Sequence, residues 1–251
     1  MRAGLALALL LAGATAASAG VVSSLDLAKP FATRTPWRLT ATQGPEVEAI
    51  VEGKEPGAIA LCISNDDGRS CRPDLNQAPR RADDLFSEPH YLEAAEIVHP
   101  RADLALLLLR TSSLHSGDGD QRGVTRLLAY DHGLDRFVPV YEHSANRNNN
   151  QEIRYVRAGP LKGAVIRAEP TENGPFAYWI TVSTLAGRDY EPVLRYRSAT
   201  RYGDGNPLSV IDSEMANMLQ RLGLWHAGLP LPRPARPCPR PRLIGMELWC
   251  S

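Results

Sequence analysis

Two glycine-rich stretches set oxygen donors at alternating positions: Asp118-Gly119-Asp120 within RTSSLHSGDGDQRG (110–123) and Asp204-Gly205-Asn206 within RYRSATRYGDGNP (195–207). Carboxylates two residues apart can point at one centre, and a hard cation such as calcium wants about six to eight oxygens. Neither loop closes that shell alone. Counted from Asp118, the fifth and twelfth positions of a calcium-binding loop fall on Arg122 and Ala129, and from Asp204 on Leu208 and Met215. The sequence therefore favours glycine turns whose aspartates cap backbone amides, with calcium as the lesser alternative and no other cofactor indicated.

The two loops nevertheless echo each other, because each follows an apolar run that ends in arginine and a Ser/Thr cluster: LLLLRTSSLHSGDGD and VLRYRSATRYGDGN. Their 86-residue separation hints at a duplicated unit, although the flanks do not repeat visibly. Loops emerging from one end of a sheet would gather Asp118, Asp120, Arg197, Arg201, Asp204 and Asn206. A third segment, EHSANRNNNQEIRY (142–155), adds His143, Asn146, Arg147, Asn148, Asn149, Asn150 and Glu152. Consecutive asparagines avoid helix and strand because their amides compete for the backbone, so the plain reading is an exposed hairpin loop. Functionally, amides and guanidinium groups beside Tyr155, Tyr196 and Tyr202 suit a carbohydrate or peptide ligand.

Signatures of covalent catalysis are missing: there is no GxSxG elbow, no HExxH helix and no glycine-rich phosphate loop. His115, Ser116 and Asp118 have the residue types of a triad, but triad members meet across a fold rather than along a chain. Carboxylates that cleave a glycosidic bond need only lie about 5–10 Å apart, which keeps Asp118, Asp120, Glu152 and Asp204 as hydrolase candidates.

What must position these loops is a chain built for export and for β structure. It opens MRAGLALALLLAGATAASAG, one arginine followed by a short apolar run and Ala17-Ser18-Ala19, the pattern of a signal peptide over residues 1–19. No cysteine stands near the cleavage motif to carry a lipid, and no later run approaches a membrane span. The 232 residues that follow hold 27 basic and 28 acidic side chains, a balance that favours neither nucleic acid nor an anionic membrane as partner. Cys62 with Cys71 and Cys238 with Cys250 are close pairs without zinc-ligand spacing, so two local disulfides are expected.

From Pro36 the chain reads as short strands separated by turn residues: WRLTAT, EVEAIVEG, GAIALCIS, YLEAAEIV, DLALLLLRTS, GVTRLLAY, RFVPVYEH, QEIRYVRAG, GAVIRAEP, FAYWITVS and EPVLRYRS. The links are too short for βαβ crossovers, so the fold class is mainly β: an antiparallel meander forming a sandwich, an open barrel or propeller-like blades. One C-terminal amphipathic helix is expected, because Ile211, Met215, Met218, Leu219 and Leu222 make a single apolar stripe, with Asp212 or Ser209 as cap and Gly223 as stop. The β-rich domain thus spans 20–226. Residues 227–251 form a Pro/Arg-rich tail, closed by its disulfide, that either engages an acidic partner or envelope polymer or packs along its own domain. The leading functional reading is an exported protein that binds a polar ligand, glycan or protein, through the loop face. A secreted carboxylate-dependent hydrolase of glycan or ester bonds is second, and a purely structural envelope protein third.

Overall fold

The computed structural model describes residues 20–48, 53–76, 88–116, 121–146, 151–172 and 177–251. In chain order the elements are β1 (Gly20–Asp26), α1 (Ala28–Phe31), β2 (Arg38–Gln43), β3 (Val47–Glu48), β4 (Lys54–Glu55) and β5 (Ile59–Ser64). Four long strands follow: β6 (Tyr91–Arg101), β7 (Leu104–His115), β8 (Gln121–Asp131) and β9 (Arg136–Asn146). Then come β10 (Glu152–Tyr155), β11 (Val165–Pro170), β12 (Tyr178–Ala186), β13 (Asp189–Arg197), α2 (Val210–Ser213), α3 (Met215–Arg221), β14 (Pro241–Ile244) and β15 (Glu247–Cys250). The sheets run β1-β2-β5, β6-β7-β8-β9 and β10-β11-β12-β13, with small hairpins β3-β4 and β14-β15. Their strand pairings are antiparallel, so the chain forms the mainly β meander that its turn spacing implies.

Three expectations are refined. Of EVEAIVEG, Val47 and Glu48 pair antiparallel with Glu55 and Lys54, and residues 49–52 lie outside the described residues. The single helix is two short ones meeting at Glu214, which turns its carboxylate inward. The tail ends in the β14-β15 hairpin, whose first strand begins at Pro241, an edge position where a missing N–H costs no ladder bond.

The apolar run LALLLL becomes β7, an inner strand of the second sheet with both faces covered. Leu107 and Leu109 enter a core shared with Leu39, Ala41, Leu61 and Ile63 of the first sheet and with Phe31 and Phe137. Leu106 and Leu108 point the other way, towards Val165, Ile153 and Tyr155 of the third sheet. The far side of the third sheet carries Ile166, Ala168, Tyr178, Ile180, Val182 and Tyr196, and these are covered by the helices, Trp225 and the tail hairpin. Within the helical stripe Ile211, Met218 and Leu219 are buried, whereas Met215 and Leu222 are partly so. Gly223, at φ 69°, ends the helix in the left-handed region.

Both local disulfides form, Cys62–Cys71 and Cys238–Cys250, and no cysteine is free among the described residues. No helix of the described residues is long and apolar enough to cross a membrane.

Candidate functional site

Strand register decides which side chains meet between the second and third sheets. Arg110 lies opposite Thr125, and Thr125 opposite His143, which makes one row across β7, β8 and β9. On the third sheet Ile153, Arg167, Thr181 and Arg195 make the matching row across β10 to β13. Two residues along the same strands stand Leu108, Leu127 and Val165, which pack together in the apolar core between these sheets. Because side chains alternate with period two, the polar rows share the faces that those apolar residues bury. The inter-sheet space is thus dry at one end and polar at the other.

Cross-sheet bonds hold the polar end. His143 Nε2 lies 3.0 Å from Glu169 Oε1, and Arg167 Nη1 approaches His143 Nδ1 at 2.8 Å and Glu169 Oε1 at 3.4 Å. Burial pushes the Glu169 carboxyl up, but the His143 hydrogen bond and the charges of Arg167, His143 and Arg195 outweigh it and leave the carboxyl below its ordinary range. Nearer the edge, Arg110 Nη2 pairs with Glu93 Oε2 at 3.3 Å. One residue pair further along the third sheet, Glu169 and Arg197 flank Trp179 in register, and the Arg195 guanidinium sits 4.8 Å above the Trp179 ring.

Several polar groups in this layer are buried without a hydrogen-bond partner among the described residues: Thr181 Oγ1, Arg167 Nε and the hydroxyls of Tyr141 and Tyr155. Burial pushes the Tyr155 hydroxyl up to about 12 and raises Tyr141 as well, so both remain protonated donors at neutral pH. A cavity of about 350 Å³ opens beside these rows, lined by Glu93, Arg110, Thr125, Ala145, Gln151 and Glu152 among others. Glu152 is held on both oxygens, one by the Arg154 Nε donor at 2.9 Å and the other by the Ile211 amide at 3.1 Å.

The residues singled out from the sequence fall in different places. Asp118, Asp120, Asn148, Asn149 and Asn150 lie outside the described residues. The strands leading to them end together, with His115 opposite Gln121 and Arg122 opposite Asn146. Arg197 is exposed in the row of Trp179. The loop that follows is a tight turn, with Gly203 and Gly205 at φ 75° and 82°. In it Asp204 accepts from the amides of Arg201 at 3.3 Å and Asn206 at 2.9 Å. Asn206 Nδ2 donates to Ser213 Oγ and to the Leu248 carbonyl, both at 2.9 Å, which ties the helices to the tail hairpin. Arg201, Asp204 and Asn206 therefore brace the helical layer, on the other side of the third sheet from the slot.

Sequence reasoning named His143 and Glu152 in passing but missed Glu93, Arg110, Thr125, Arg167, Glu169, Thr181, Trp179 and Arg195. One signal was available: Arg167 and Glu169 interrupt the apolar run AVIRAEP at inward positions of a strand. Among the described residues no group of three or more His, Cys, Asp or Glu side chains could hold a metal. Comparison with protein-family models, with curated proteins and with solved structures returned no match.

Proposed function

We propose that this chain is a binding protein exported to the periplasm or beyond the cell, and that it takes a polar ligand, glycan or protein, at the polar end of the slot between its second and third sheets. The observation that carries this reading is the cavity of about 350 Å³ bounded by Arg110, Glu93, Thr125 and Gln151. Its size falls in the range of small-molecule sites, about 300–1,000 Å³. Its lining sets the Arg110 guanidinium beside the Thr125 hydroxyl and the Gln151 amide, donors and acceptors of the kind that a hydroxyl-rich ligand needs. Export is supported by the signal-like leader and by two disulfides, which persist in oxidising compartments.

A hydrolase is the second reading, favoured by two carboxylates, Glu93 and Glu152, in one cavity wall. Against it, Glu152 spends both oxygens on Arg154 and Ile211, and Glu93 is bound to Arg110. A panel of immobilised glycans, probed with wild type, Arg110→Ala and Asp204→Ala, tests the proposal. Arg110→Ala should weaken retention at least about tenfold, the scale of one lost charge-assisted bond, while Asp204→Ala leaves it unchanged. Equal retention by wild type and Arg110→Ala would remove the slot from consideration, and release of reducing ends from the panel would put the hydrolase first.

A further inference from the structure

The tail from Leu229 to Arg242 is pinned to the body at several points. The Trp225 indole donates to the Pro230 carbonyl at 3.0 Å, and the Ala235 amide donates to buried Asp212 at 3.1 Å. Leu231 and Leu243 pack into the helical core, and Cys238–Cys250 fixes the arm to β15. Prolines at 230, 232, 234, 237 and 239 keep residues 230–240 out of helix and strand, and the chain bends at Ala235-Arg236 and at Pro239-Arg240.

Its arginines do the opposite of its apolar residues. Arg233, Arg236, Arg240 and Arg242 are all exposed, and none has an ion pair among the described residues. Outside the arm, Arg110, Arg126, Arg154, Arg157, Arg167 and Arg188 each face a carboxylate, whereas exposed cations such as Arg197 and Arg201 have no ion pair among the described residues. Residues 227–246 hold four arginines and no acid in a chain whose formal charge is zero. A local excess of this kind, on a backbone already ordered, raises the concentration of anions along the arm and spares the entropy of ordering it.

We infer that the arm Arg233–Arg242 is a docking strip for an acidic polysaccharide. The four guanidinium groups fall within ten residues of an ordered arm and present forked donors that match carboxylate or sulfate oxygens. Between the arginines the arm holds only Pro, Ala and Cys, with no side chain that enters acyl chains, so a lipid surface fits it less well. The strip lies beyond the helical layer and works whether or not the inter-sheet slot binds anything.

The test uses fluorescein-labelled heparin as probe, read by anisotropy at about 0.05 and 0.15 M salt, where screening lengths differ. One variant replaces Arg233, Arg236, Arg240 and Arg242 with serine, and a charge-matched control replaces Lys54, Arg101, Lys162 and Arg188. The arm variant should bind at least about tenfold more weakly with a shallower salt dependence, since each removed arginine releases fewer counter-ions, while the control stays close to wild type. Equal weakening in both variants means bulk charge alone and overturns the proposal. Wild type that ignores heparin but sediments with phosphatidylglycerol vesicles overturns it in favour of a membrane surface. If the fourfold variant does not fold, the pairs Arg233→Ser/Arg236→Ser and Arg240→Ser/Arg242→Ser must each give part of the loss, and no loss from either pair rejects the strip.

Discussion

The two faces of the β6–β9 sheet are built from the same strands and serve different ends. Towards the first sheet, Leu107, Leu109, Leu128 and Phe137 meet Leu39, Ala41, Leu61 and Ile63, and the aromatic rings pack edge to face, with Phe31–Phe137 centroids 4.9 Å apart. On that side Asp135 takes the Trp37 indole at 3.0 Å and also the Tyr130 hydroxyl, and buried Arg126 donates to the Leu75 carbonyl at 2.9 Å and to Glu142 at 2.6 Å, so each of these polar groups is paired. Towards the third sheet the packing begins in the same way with Leu106, Leu108 and Leu127, then turns to Arg110, Thr125 and His143. Burying such groups costs free energy unless each is paired, and even a well-paired buried ion set seldom stabilises more than a well-packed apolar one. A stack selected for stability alone has no need of the polar half. That half is where a ligand would find partners.

The largest expected effect sharpens the dry side. Phe137 is 2% exposed and touches three aromatic rings, so Phe137→Ala should cost about 3–5 kcal/mol in urea unfolding through lost transfer energy and an unfilled cavity. A loss near 1 kcal/mol would mean that the first sheet collapses onto the gap, and the contrast between the faces would lose its basis.

On the polar side a single change should cost less and depend on pH. The Glu169 carboxyl is partly exposed, so Glu169→Gln should cost about 1 kcal/mol at neutral pH, an ion-pair value discounted for solvent. Its folded carboxyl is held below the ordinary value, so the stabilisation is present above the unfolded glutamate range of about 4.3 and disappears as pH falls through the folded value. Denaturation curves at stepped pH should show wild type and variant separated near pH 7 and converging in acid. Parallel curves across the whole range would show that the His143–Arg167–Glu169 bonds contribute nothing.

How much of this was legible beforehand follows from what each feature depends on. Strands such as GAIALCIS and RFVPVYEH rest on alternation and on neighbouring turn residues, both local, and both lie in strands. The helical stripe was legible for the same reason, but its break at Glu214 was not. That carboxylate accepts from the Ala199 and Thr200 amides at 3.0 and 2.9 Å and from the Tyr196 hydroxyl at 2.9 Å, partners set by tertiary packing. β1 was missed because VVSSLD mixes hydroxyls into an exposed edge strand and carries no clear alternation. The slot was missed for a deeper reason: His143 meets Arg167 and Glu169 only through the register of two different sheets, which no spacing along the chain encodes.

The smallest effect is the one that separates the two faces most cleanly. Thr181 lies in register between Arg167 and Arg195, is 2% exposed, and its hydroxyl has no partner among the described residues. Thr181→Val keeps the β-branched shape and replaces that hydroxyl with a methyl group, so it removes a desolvated polar group without opening a cavity. Stability should stay level or rise by less than about 1 kcal/mol, because a buried hydroxyl that makes no bond in the folded state favours unfolding, where water satisfies it. Thr181 does not line the cavity, so retention on the panel that tests Arg110→Ala should stay at the wild-type level, giving a variant at least as stable as wild type and unchanged in binding. A stability loss above about 1 kcal/mol would instead mean that the hydroxyl is already fully bonded in the unliganded protein, and the polar end of the slot would then be scaffold, like the dry face behind it.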